Sequence, residues 1–214
     1  MADTVVHEAP TAAPHAGPAA VHGPSHATST GLSNTKLAMW VFLGSDCLLF
    51  GGLISTYLLL RHRVPPGQGP GPTDVFDIPF TSVSSFVLLF SSLTMALAVG
   101  AIHRGDERRC RTFLLTTALL GALFVGGQAY EFTVFVREGL GYTTNIFGSA
   151  FYTLTGFHGT HVSVGIMFLL GLFILSLRGR LGVERAETVE IFGLYWHFVD
   201  IVWILIFTVV YLIP

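Results

Sequence analysis

Five apolar stretches, each long enough to cross a bilayer, restrict this chain more than any other feature. They run over about Leu37–Leu60, Thr81–Ile102, Thr112–Val136, Gly148–Leu177 and Glu190–Ile213. At about 1.5 Å per residue, roughly 20 helical residues cover the hydrocarbon core. Inside that core the backbone must satisfy its own hydrogen bonds, which leaves helices or closed barrels. Runs of this length choose the helix. A soluble bundle would need a polar face on each helix, and these segments are apolar all round. The composition agrees: 51% of residues are hydrophobic and 11% charged, against about 25% charged in a soluble domain. The expected fold is therefore all-α, a polytopic bundle of five transmembrane helices. A net charge of −2 argues against nucleic acid as a partner and against an anionic membrane surface.

Residues 1–35 are rich in Ala, Pro, His, Ser and Thr and show no helical or strand period. They cannot bury a core and read as a disordered tail. The apolar centre and basic start of a secretory signal are missing. His7, His15, His22 and His26 are irregularly spaced, a poor basis for a metal site. The spanning domain is expected over 36–214. Neither Cys47, in an apolar run, nor Cys110, in an Arg-rich loop, has the paired spacing of a zinc site. With the N-terminus inside, eight basic residues fall in inner segments (Lys36, Arg104, Arg108, Arg109, Arg111, Arg178, Arg180 and Arg185). Three fall outside, Arg61, Arg63 and Arg137. This bias predicts a cytoplasmic N-terminus and a periplasmic C-terminus.

The fourth span is the unusual one. Phe151 to Gly165 carries two histidines, three threonines, a serine and three glycines within a membrane helix. At about 100° per residue, His158, His161 and Gly165 share one face, and Tyr152, Thr155, Gly159 and Ser163 another. The spans together hold six ionisable side chains: Asp46, Glu131, His158, His161, His197 and Asp200, with Gln128 one turn before Glu131. Such groups mark pathways, cavities or buried partners. Their depths suggest two layers. The inner layer would pair Asp46 with His197 and Asp200; the outer would join Gln128, Glu131 and His158. In the last span, Trp196, His197, Asp200 and Trp203 fall within a third of the helix surface and should face protein. Phe198, Val202, Leu205 and Ile206 lie opposite, suited to lipid. Three chemistries compete for these groups: metal or haem ligation by convergent imidazoles, a proton relay, or polar contacts that hold helices together.

Two motifs carry a family resemblance. F-Y-x-x-T-G-F-H-G-x-H-V from Phe151 to Val162 and Y-W-H-F-V-D-I-V-W from Tyr195 to Trp203 resemble subunit III of haem–copper cytochrome c oxidases. The run Gly127–Phe132, G-Q-A-Y-E-F, is similar to the family's third span in its five-helix form. Trp40–Asp46, W-V-F-L-G-S-D, resembles its opening span. The family commonly has a glutamate where this chain has Asp46. Its mitochondrial form has two further N-terminal helices, which the tail replaces here.

The resemblance implies an accessory subunit without redox centres. It would pack beside subunit I, hold phospholipid, and support proton uptake and the integrity of the catalytic subunit. Haems and copper are expected on partner subunits and none on this chain. Subunit II, a small subunit IV and a larger respiratory assembly are further implied partners, and the location would be the bacterial plasma membrane. Asp46, Gln128, Glu131, His158, His161, His197 and Asp200 are then structural residues, with no catalytic, cofactor or metal role. The alternatives are subunit III of a quinol oxidase, a nitric oxide reductase accessory protein, and a stand-alone transporter or proton channel.

Overall fold

The computed structural model describes residues 33–61, 63 and 76–213. Among these, five helices are long and apolar enough to cross a membrane. They are α1 (Asn34–Leu60), α2 (Ile78–His103), α3 (Glu107–Arg137), α4 (Ile146–Leu177) and α5 (Ala186–Phe207). A short 3₁₀ turn, Val183–Arg185, leads into α5, and a wider π-type turn, Thr208–Leu212, continues it. The tail expected over 1–35, its four histidines and the proline-rich loop centred on Pro65–Pro72 lie almost wholly outside the described residues.

The helices overrun the apolar windows because capping residues sit beyond them. Asp77, Asp106 and Asn145 each accept a hydrogen bond from the backbone N–H three residues on: Phe80 at 3.2 Å, Arg109 at 3.0 Å and Gly148 at 2.7 Å. These side chains satisfy donors that a first helical turn leaves unpaired. At the other ends, Gly105, Gly139 and Gly179 take left-handed φ of 76°, 93° and 64°, a conformation that closes a helix and suits glycine best.

Four helices form a ring in which α2 meets α3, α3 meets α4, α4 meets α5 and α5 returns to α2. The first helix lies along α4 and α5. It buries only Leu43, Asp46, Phe50 and Tyr57, a single stripe, and leaves Trp40, Leu48 and Leu59 exposed. Most Ser and Thr hydroxyls in the spans donate to a carbonyl four residues back, as Thr56, Ser82, Thr116 and Ser163 do. That bond satisfies a hydroxyl inside hydrocarbon without a partner helix.

One expectation about the last helix is corrected. Leu205 is exposed, but Val202 and Ile206 are buried. The helix contacts α2, α4 and α1, so its polar and indole face is not the only one covered.

Candidate functional site

The polar centre of the bundle is organised by two indoles. Trp196 lies between Gly121 of α3 and Gly165 of α4. A Cβ on Gly121 would stand 2.6 Å from its Cη2, and one on Gly165 would stand 2.8 Å from its Cζ3. No side chain other than hydrogen fits at either position. The indole N–H donates to Ser91 Oγ on α2 at 2.9 Å, so one side chain of α5 ties three other helices. Two turns on, Trp203 donates to Ser85 Oγ at 2.9 Å. Its ring stacks on His158, centroids 4.9 Å apart and planes 27° apart, and Phe124 meets it edge-on at 4.7 Å.

Both expected layers need correction. Asp46 does not pair with His197 or Asp200; its Oδ2 lies 3.6 Å from His161 Nε2. His197 instead shares a 2.6 Å hydrogen bond between its Nδ1 and Ser92 Oγ of α2. That hydroxyl also approaches the Asp200 carboxyl, short of hydrogen-bond geometry. In the outer group, Glu131 accepts a short hydrogen bond from the Thr81 hydroxyl. The Gln128 amide donates to the Thr155 carbonyl at 3.0 Å. His158 is fully buried, and neither ring nitrogen has a hydrogen-bond partner. The layers were inferred from depth alone. Direction around the helix axis decides partners, and it turns Glu131 and His197 toward α2 but Asp46 toward α4. Substituting Glu131→Gln should therefore preserve the contact with Thr81 and leave every histidine resonance in the NMR spectrum unshifted. A shifted His158 signal would contradict this pairing.

The structure adds contacts that sequence reading passed over. At the end where α1 begins, Glu190 of α5 accepts from Lys36 Nζ of α1 and lies against His103 Nε2 of α2, each at 2.5 Å. At the other end of α1, Arg61 is buried and donates to the carbonyls of Val209 at 3.3 Å and Ile213 at 2.5 Å. Arg111 caps α4 in the same manner through the Ser176 carbonyl at 2.9 Å. Basic residues just outside apolar runs, opposite helix ends, were the available signal. Among the described residues, no three His, Cys, Asp or Glu side chains converge on a point that could hold a metal ion.

The small-residue face on α4 lies where the sequence put it. Gly159 lies under Gln128, whose Oε1 would be 2.6 Å from an added Cβ. Gly156, Thr160 and Ser163 continue this face into a groove of about 290 Å³ between α3 and α4.

Comparison with known families decides what this arrangement belongs to. The family model described as cytochrome c oxidase subunit III matches residues 19–213. The chain belongs to the cytochrome c oxidase subunit III family. Among its relatives, cytochrome c oxidase subunit 3 of Bacillus sp. (strain PS3) is 41% identical over 179 residues, covering 84% of this chain and 86% of the relative. The cytochrome bo(3) ubiquinol oxidase subunit 3 of Pseudomonas aeruginosa is 39% identical over 191 residues, 89% of this chain and 90% of the relative. Quinol oxidase subunit 3 of Bacillus subtilis is 39% identical over 198 residues, 90% and 96% respectively. Subunit III relatives named for either electron donor thus stand at almost the same identity to this chain. Both motifs that carried the resemblance contribute to the polar centre: Phe151–Val162 supplies His158 and His161, and Tyr195–Trp203 supplies both indoles.

Proposed function

We propose that this chain is the accessory, non-redox subunit III of a haem–copper terminal oxidase in aerobic respiration. It packs on subunit I, holds phospholipid, and supports proton uptake and sustained catalysis by the subunit that reduces oxygen. The observation that carries this reading is how the intramembrane polar groups are used. Asp46 faces His161, Glu131 is held by Thr81, and His197 by Ser92. Each such contact joins two helices, which is the work of a scaffold. A redox subunit would instead aim several imidazoles at one iron or copper. The haems and copper of the reaction then belong to partner subunits: I, II and a small subunit IV, within the bacterial plasma membrane.

Removing this subunit from the purified oxidase should leave the haem absorption spectrum unchanged while activity decays over repeated turnovers. Loss of a haem band on its removal would overturn the reading. The donor is set by partners that this chain does not include. Relatives named as quinol oxidase subunits favour a second reading in which quinol replaces cytochrome c. Feeding the native complex reduced cytochrome c or a quinol separates the two. A stand-alone transporter would need a continuous polar file, whereas Phe50, Phe124 and Trp203 enclose His158 with aromatic rings. The excess of basic residues in one set of loops supports a cytoplasmic N-terminus. Reporter fusions at either terminus test that orientation.

A further inference from the structure

We propose that the seam between α1 and α4 holds a hydrated proton-sharing site built from Asp46, His161 and His158, with water as its ligand. His161 is the fixed point. Its Nδ1 lies 2.7 Å from the Phe157 carbonyl, and a carbonyl only accepts, so Nδ1 carries the hydrogen. Its Nε2 is thereby the nitrogen turned toward Asp46 Oδ2, across 3.6 Å. That gap is too long for a direct hydrogen bond, and a polar contact of this length calls for a water as the intermediary. Oδ2 is buried and receives no hydrogen bond from the protein.

One turn earlier on the same helix, His158 is completely enclosed and neither nitrogen meets a protein partner. An imidazole brings a donor and an acceptor, and a buried polar group left unpaired loses its hydration with nothing in return. Its aromatic neighbours offer no remedy. Phe50 and Phe124 have no polar atom, and the Trp203 N–H is committed to Ser85. Phe50 packs edge-on against both imidazoles, at 5.1 Å from His161 and 6.4 Å from His158, so one side chain of α1 lies against both rings. A buried water typically makes about three hydrogen bonds to groups otherwise unpaired. The carboxylate oxygen, the free His161 nitrogen and the His158 ring supply them. On the α5 side Tyr195 closes the site: its hydroxyl donates to the His161 carbonyl at 2.9 Å.

Through such a water a proton is shared without net loss. The carboxyl O–H gives its proton to the water as the water gives one of its own to His161 Nε2. Carboxylate and imidazolium remain, and the reverse transfer restores the neutral pair.

The test uses the complete native complex and reads this chain whatever electron donor that complex accepts. A density map that resolves ordered water should show water within hydrogen-bond reach of Asp46 Oδ2 and His161 Nε2, and at a His158 nitrogen. Infrared spectra taken after transfer to D₂O should show a shifted carboxyl band, and that band should vanish in Asp46→Asn. His158→Phe keeps the ring volume and removes both nitrogens; it should displace water and slow the exchange of the Asp46 band. The proposal fails if the map shows Asp46 in direct contact with His161 and both His158 nitrogens on protein groups. It fails equally if the Asp46 band does not shift in D₂O. The wild-type map and spectrum decide the matter even if the His158 variant does not assemble.

Discussion

Trp196→Ala should detach this subunit from its purified complex, or lower the temperature at which it dissociates, more than any other single truncation in the bundle. The side chain is 1% exposed and fills the space between the backbones of two helices. Truncating a buried aromatic costs about 3–5 kcal/mol, part of it for the cavity left behind. Here the cavity cannot collapse easily, because its walls are the helix backbones at Gly121 and Gly165. Ser91 keeps its own bond to the Leu88 carbonyl at 2.6 Å, so the loss reports packing rather than an orphaned hydroxyl. The reciprocal change has the same sign. Gly165→Ala places a methyl against a rigid indole and should cost about 1–3 kcal/mol through overpacking. Gly126→Ala, where an added methyl meets nothing within 4 Å, is the control and should leave the dissociation temperature unchanged. Equal effects at Gly126 and Gly165 would show that the indole is not what fills the gap.

Arg61→Met should release the end of the last helix. The guanidinium donates to two carbonyls in the final turn, where four carbonyls lack intrahelical donors and the helix dipole is negative. Hydrogen bonds from a charged group contribute about 1.5–3 kcal/mol, and methionine keeps most of the stem volume without any donor. Amide hydrogen exchange over residues 208–213 should accelerate by about tenfold or more, since about 1.4 kcal/mol corresponds to one decade. Exchange in the middle of α3 should not change. An unchanged rate at 208–213 would show that the turn is held by other means.

The fold was open to sequence reading because each span satisfies its own backbone and must be apolar over its whole length. Five windows in the sequence became five helices, and the ends of the middle three were set by Asp77, Asp106, Asn145 and three glycines. The site was legible in a more limited way. The residues that matter stood out, since an acid or imidazole in hydrocarbon is conspicuous. The partners did not, because depth along a helix can be counted from its ends while rotation depends on neighbours. His161 met Asp46 because α1 seats against α4; Glu131 met a threonine that looked ordinary. Ser85, Ser91 and Ser92 gave no warning at all, since a helix serine can satisfy its hydroxyl on its own backbone, as Ser82 and Ser163 do. Val202 and Ile206 were misplaced for a related reason: a purely apolar side chain carries no mark of whether lipid or protein will cover it.

The way α1 is fastened bears on the order of assembly during synthesis. This helix is made before the other four described here, yet its anchors come late: Lys36 waits 154 residues for Glu190, and Arg61 waits 148 for Val209. At about 5–20 residues per second, the nascent segment spends on the order of ten seconds in the bilayer with Asp46 and Arg61 unmatched. A membrane insertase or a neighbouring polypeptide that shelters those two side chains over that interval would raise the yield of finished subunit without altering its final stability.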